Sequence, residues 1–368
     1  MNEVAVDPSF HQGTPHEVPP GKIEDALREI WRAAAAAGGG TVSRACLLTL
    51  AGYAANPEDQ DNLEAALDMA SRRMPSRTLL LVADVSGPDN LRASINTNFH
   101  EQDIGGGRQL YSEEVHLHAS GKAVRRLPSL LQTLRVTDVP AVLYWPGRVP
   151  LKDDPGRDLL VAVDRLIVDS RDYMDAQDLC HLYELVVGRL AVGDLTWQRL
   201  TPWRTLIAHL FDGPPFADHV LHLDRVTLTR SGAHPAGTFL MAGWLASRLG
   251  WHSPTKWECD DDSEAWHLIR PDGKPVVLII RSAPGFHEGL NRVGLESSSH
   301  ERPVSIVLER GARLFKLRGT GLPARSRPIA DMDDDELLVQ ALRSPEEDHV
   351  ITQALAAANA LLTAKEAE

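Results

Sequence analysis

CLLTLAGYAANPEDQDNLEAALDMASRRMPSRTLLLVA, residues 46–83, decides the fold. CLLTLAGY is a continuous apolar run, the pattern of a strand buried on both faces. Pro57 then opens a helix, with Leu63, Leu67 and Ala70 on one face, and Pro75 ends it. RTLLLVA, residues 77–83, reads as a second buried strand. Two such strands joined by a helix imply a right-handed βαβ unit.

Upstream, residues 22–37 place Ile23, Leu27, Ile30 and Trp31 at helical spacing and end in an alanine run that Gly38–Gly40 stops. Residues 1–20 hold four prolines and few large apolar groups, the composition of a flexible tail. Downstream, 91–99 and 110–117 alternate in and out and are expected as an antiparallel pair joined at Gly105–Gly107. A helix over 122–134 follows, then a strand at 141–145, a short helix at 158–163 and a strand at 165–168. Residues 175–210 read as all-helical, in two pieces broken near Gly193.

Gly213, Pro214 and Pro215 are the clearest linker, with 150–155 as the rival cut. Beyond it come a strand at 226–229, a helix at 239–249 and strands at 266–270, 276–281, 304–308 and 314–317. The Asp-Gly of PDGK, residues 271–274, accepts positive φ and marks a hairpin. The fold class expected is therefore α/β plus α+β: an N-terminal mixed βαβ sheet domain with a helical segment, and a C-terminal antiparallel sheet with helices. The expected divisions are a tail at 1–20, an α/β domain at 21–212, an α+β domain at 213–330, and helices at 331–368 packed on the second domain, with Pro345 between them.

The chain has 368 residues, 43% hydrophobic and 24% charged, as in an ordinary globular protein. A net charge of −13 argues against general affinity for nucleic acid or an anionic membrane, since both need a cationic face. Three widely spaced cysteines with no CxxC suggest neither a zinc knuckle nor a disulfide framework. No signal peptide or membrane span is read, and the expected location is the cytoplasm.

Catalytic and cofactor patterns are scarce. Gly105–Gly107 lie between strands, whereas a phosphate loop joins a strand to a helix N-terminus, so no cofactor is expected. His116 and His118 share a strand face, a spacing some metal sites use, but three or four converging ligands are needed and the expectation is no metal. No GxSxG or HExxH element occurs, so no catalytic residue is named and the chain is not read as an enzyme.

The densest aromatic–basic stretch is VGDLTWQRLTPWR, residues 192–204. Asp194 or Thr196 stands where an N-cap would, and Pro202 suits the first turn of a second helical piece. Trp197, Trp203, Arg199 and Arg204 are residue types that dominate protein–protein hot spots; the competing reading is a core tryptophan pair with solvated arginines. This stretch resembles the OpcA family, the glucose-6-phosphate dehydrogenase assembly proteins. Similar blocks are MPSRTLLLVAD at 74–84, VPAVLYWPG at 139–147, DRLIVDS at 164–170 and AGWLASRLGW at 242–251.

The resemblance implies a non-catalytic partner that binds and activates glucose-6-phosphate dehydrogenase. Tyr144, Trp145, Arg148, Trp197, Arg199, Trp203 and Arg204 are then the candidate partner-binding residues, chosen from these blocks and by residue type. The alternative is a sugar-phosphate-binding module or enzyme using the α/β core, with convergent bases such as Arg165, Arg171 and Arg199.

Overall fold

A computed structural model of the chain describes residues 15–37, 46–101, 109–148, 152, 156–285, 287–298, 302–329, 332–343 and 348–366. By their contacts these residues form two compact units, divided between Val168 and Asp169. Residues 334–343 return to the first unit, and 147–149 belong to the second.

The first unit contains β1 (His16–Val18), α1 (Ile23–Ala37), β2 (Leu48–Ala54), α2 (Gln60–Arg73), β3 (Ser76–Asp84), β4 (Asn90–Glu101), β5 (Gln109–Ser120), α3 (Leu127–Leu134), β6 (Ala141–Trp145) and β7 (Arg165–Val168). Its strands lie in the order β1-β4-β5-β3-β2-β6-β7. From β5 to β7 the pairing is parallel, with Leu50 opposite Thr78 and Leu79 opposite Val115. The apolar runs of β2 and β3 are buried throughout, as central parallel strands require. Gly52 lets α2 approach: a Cβ there would stand 2.8 Å from side-chain carbons of both Leu63 and Leu67.

Arg77, at 4% exposure, is held by the Glu113 carboxylate at 2.6 Å, by Glu24 and by the Leu134 carbonyl at 2.8 Å. Two acids and a carbonyl thus neutralise a guanidinium that burial alone would penalise.

Two details depart from expectation. Within the stretch read as a flexible tail, His16–Val18 pairs antiparallel with β4, His16 opposite Ile95, because the sheet edge offers backbone partners that composition does not reveal. The helix expected over 122–134 starts as a 3-10 turn at Gly121–Arg126 and becomes α-helical at Leu127, with Pro128 in its first turn. Residues 1–14, Gly105–Gly107 and Pro345 lie outside the described residues.

The second unit contains α4 (Asp178–Val187), β8 (Ala191–Asp194), α5 (Leu195–Arg199), α6 (Thr201–Leu210), β9 (Arg225–Ser231), α7 (Ala236–Leu249), β10 (His252–Cys259), β11 (Ser263–Ile269), β12 (Pro275–Ser282), β13 (Gly289–Ser297), β14 (Val304–Arg310), β15 (Leu314–Gly319) and β16 (Leu322–Pro328). The region read as all-helical therefore contains a strand. Gly188 closes α4, Arg189 takes a positive φ of 68°, and the chain leaves extended through Val192 and Gly193.

The second sheet runs β10-β11-β12-β9-β13-β14-β15-β16. It is antiparallel apart from one pair: β9 and β12 are parallel, because the chain crosses over through α7 and the β10–β11 hairpin before β12 pairs with β9. The PDGK turn is a hairpin, with Gly273 at φ 78° and Ile269 opposite Pro275. Gly213–Pro215, read as the linker, lies inside this unit.

The last two helices part company. Helix α8 (Asp334–Arg343) buries Leu337, Leu338 and Leu342 and packs on α2 within the first unit. Helix α9 (His349–Glu366) packs on α7 within the second. Gly243 is the notch for that packing, since a Cβ there would collide with the Ala354 carbonyl. Trp266, fully buried, rests edge-on against Phe239 at 5.7 Å between centroids and donates to the Leu361 carbonyl at 2.9 Å.

Candidate functional site

The stretch 192–204 folds as strand, cap and two short helices. Asp194 is extended, with φ −143° and ψ 127°, and accepts the Thr196 backbone N–H at 2.9 Å, so it is the N-cap of α5. The same carboxylate accepts the Ser170 N–H at 3.1 Å and the Ser170 hydroxyl at 2.6 Å. Burial pushes this carboxyl up from 3.8 to about 6; the Ser170 and Thr196 donors restrain the shift and the neighbouring Asp169 adds to it.

Both arginines of the stretch have partners. Arg199 makes a fork to Asp169, at 2.6 and 2.8 Å, and Asp169 also accepts the Thr196 hydroxyl at 3.2 Å. Arg204 lies 3.4 Å from the centre of the Trp197 ring and donates to the Trp197 carbonyl at 2.8 Å and the Thr201 hydroxyl at 2.9 Å. Burial lowers the Arg204 pKa to about 10, with Asp348 opposing, which leaves it protonated at neutral pH. The Trp197 indole N–H donates to Asp348 at 3.3 Å, and Asp348 accepts the Val350 N–H at the start of α9.

Trp197 and Trp203 are each 2% exposed, so they serve as core here and the arginines are bound inward, not solvated. Tyr144 and Trp145, on β6 of the first unit, are also buried; Trp145 packs on Tyr53 at 4.3 Å between centroids. Arg148, in the second unit, remains 65% exposed while meeting Asp178 at 3.2 Å. The structure thus brings Trp197, Arg199, Trp203 and Arg204 into one cluster, and of the seven candidates Arg148 presents the most surface.

The bases suggested for a sugar phosphate do not form a free clamp. Arg171 and Arg199 both face Asp169, and Arg165 is buried in β7 of the first unit. Among the described residues no group of three or more His, Cys, Asp or Glu side chains is arranged to hold a metal ion.

One feature escaped the sequence reading. The outer face of α6 and strands β14–β16 enclose an open groove of about 640 Å³. Pro202, Leu206 and Leu210, spaced by helical turns, form one wall; Leu308, Phe315 and Leu317 form the other. Arg325 and Arg327 stand exposed along its rim. Phe315 also meets Trp203 edge-on at 4.7 Å, so the buried tryptophan backs the groove it does not enter. The alternation of Phe315 and Leu317 with Lys316 and Arg318 was the available signal; nothing in it names α6 as the opposite wall.

Two consecutive family models match the chain. The model described as the N-terminal domain of the glucose-6-phosphate dehydrogenase subunit covers residues 67–184, and that of the C-terminal domain covers 190–355. The chain belongs to the OpcA family. Relatives named as OpcA proteins of the OxPP cycle include one from Nostoc punctiforme, 27% identical over 59% of this chain and 47% of that protein. Another, from Synechocystis, is 25% identical over 59% of this chain and 46% of its own length. The chain therefore spans about half the length of the OpcA relatives it matches. Solved structures that resemble it include a dehydrogenase from Chromobacterium violaceum, 10% identical with a TM-score of 0.47, aligned over 88% of this chain and 96% of that one. An NAD-binding oxidoreductase from Klebsiella pneumoniae is likewise 10% identical with a TM-score of 0.47, over 88% and 98% of the two chains. Likeness at that level carries nothing about activity.

Proposed function

We propose that this OpcA-family chain is a non-catalytic assembly factor and allosteric activator of glucose-6-phosphate dehydrogenase, acting in the bacterial cytoplasm to support the oxidative pentose phosphate pathway and NADPH supply. The observation that carries the reading is the pair of consecutive matches to the glucose-6-phosphate dehydrogenase subunit domains, over 67–184 and 190–355. The α6–β16 groove supports it: a half-open apolar surface with a basic rim suits a protein partner.

In this reading Arg148 and the groove meet the dehydrogenase. Trp197, Arg199, Trp203 and Arg204 fix the wall behind the groove, and Tyr144 and Trp145 fix β6. A partner that binds only the competent form of an enzyme raises its population by the difference in affinity between forms. Titrating this chain into glucose-6-phosphate dehydrogenase from the same source, at subsaturating glucose 6-phosphate and with light scattering, tests the proposal. A saturable rise in activity together with a heavier complex is expected. No complex at micromolar concentrations overturns the reading.

A further inference from the structure

The first unit carries a second opening of different chemistry. Helix α2 and strands β3–β5 border a cleft of about 500 Å³. Asp61, Glu64 and Asp68 line it from α2, and Glu114 and His116 from β5. The three helix acids lie on one face, and Glu64 and Asp68, four residues apart, repel each other at some cost to the helix. Arg72 offsets only part of this, pairing with one oxygen of Asp68 at 2.8 Å.

Arg72 also lines the cleft and acts electrostatically on Glu114. The Asn96 amide is spent on Glu114 at 3.1 Å, and the Gln60 amide reaches Glu64 only at 3.5 Å. The other Asp68 oxygen, Oδ1, is buried with no hydrogen-bond partner among the described residues. His116 is 8% exposed, lines the cleft and makes no hydrogen bond to any described residue. Burial holds its imidazole below the usual histidine range, while the nearby Glu64 acts the other way. A carboxylate oxygen buried without a partner and an imidazole that makes no hydrogen bond, both judged among the described residues, stand with three further acids and call for a ligand that brings positive charge and N–H donors. The helix acids are spread over two turns of α2 and Leu67 and Leu80 share the lining with them, which suits an organic cation with methylenes between or beside its charges.

We propose that the α2–β5 cleft binds an organic ammonium or guanidinium cation, held by Asp61, Glu64, Asp68, Glu114 and His116. Asp61 and Asp68 stand two helical turns apart, about 10 Å at the α-helical rise, which suits an extended diamine or triamine. Leu67 and Leu80 line the cleft beneath the methylenes of such a chain. The same cation could come from a free polyamine or from a basic side chain on another protein.

Calorimetric titration of the full chain with spermidine, with agmatine and with a lysine-rich peptide tests this, alongside magnesium chloride at matched ionic strength. Saturable one-to-one binding of at least one amine is expected, weakened tenfold or more in a Glu64→Gln/Asp68→Asn double variant whose melting temperature is unchanged. The His116 ring proton resonance, identified by its loss in His116→Gln, should shift with the same titration. Binding by the small amines points to a free polyamine; binding by the peptide alone points to a protein side chain. Equal heats with magnesium, unchanged affinity in the double variant, or a His116 resonance that stays fixed would overturn the proposal.

Discussion

The two openings invert each other. The α2–β5 cleft is ringed by carboxylates and has a buried imidazole in its lining, while the α6–β16 groove is apolar with an arginine rim. Both belong to a chain of net charge −13, which shares its sign with the cleft and not with the rim of the groove. Net charge argues about long-range encounter and solubility, whereas recognition is decided by the few groups lining each concavity. The cleft, about 500 Å³, is lined by four carboxylates and suits a charged group; the groove, about 640 Å³, is walled mainly by apolar side chains.

The comparison breaks hardest at Asp194, which caps the helix leading into the groove wall. Asp194→Ala leaves the Ser170 N–H and hydroxyl and the Thr196 N–H without their acceptor, and is expected to cost about 3 kcal/mol, read as a lowered melting temperature. Asp194→Asn should cost under about 1 kcal/mol and remove a pH dependence. The sign follows from a folded pKa raised above 3.8 to about 6. The folded state holds the proton more tightly, so this contribution is complete below 3.8 and lost as pH rises through about 6. The parent chain should therefore lose roughly 1 kcal/mol from this group between about pH 5 and pH 7.5, and Asp194→Asn should not.

Inside the groove, Leu206→Asp should weaken the dehydrogenase complex about 30-fold or more while amine binding in the cleft is unchanged. Loss of both would mean the two openings are not independent. Arg327→Glu, on the rim, should weaken association about three- to tenfold, mainly through the on-rate, with the difference shrinking in high salt as stopped-flow mixing would record. Arg148→Ala should have the smallest effect, under about threefold in the same titration, because it is a single exposed charge that does not line the groove.

What the sequence made legible follows the strength of local patterns. Strands β2 and β3 and helix α2 were readable because their apolar positions are continuous or helically spaced, and these residues are the ones buried. Strands β10, β13 and β16 were not read. HSPTKWEC and LPARSRP each contain a proline and few apolar residues, and GLNRVGLES opens on a glycine and carries another, so only their sheet neighbours make them strands.

The candidate site shows the same division. The cap at Asp194 and the first-turn Pro202 are local features and were found. The inward fate of Trp197 and Trp203 depends on Asp348 and Phe315, more than a hundred residues away along the chain, which no local pattern can supply. Arg199 is of a residue type that suits a contact with a partner, yet what it meets is Asp169 of its own chain.

The placement of the last two helices sets an order for synthesis. The first unit has all its described strands by Val168, but α8, which covers α2, follows only at Asp334. The second sheet is likewise laid down through Pro328 before the α9 backbone that receives the Trp266 indole at Leu361 exists. Both units would stay unfinished on the ribosome until α8 and α9 had emerged. During that interval the buried faces of α2, α7 and Trp266 would be the ones exposed to whatever guards nascent chains.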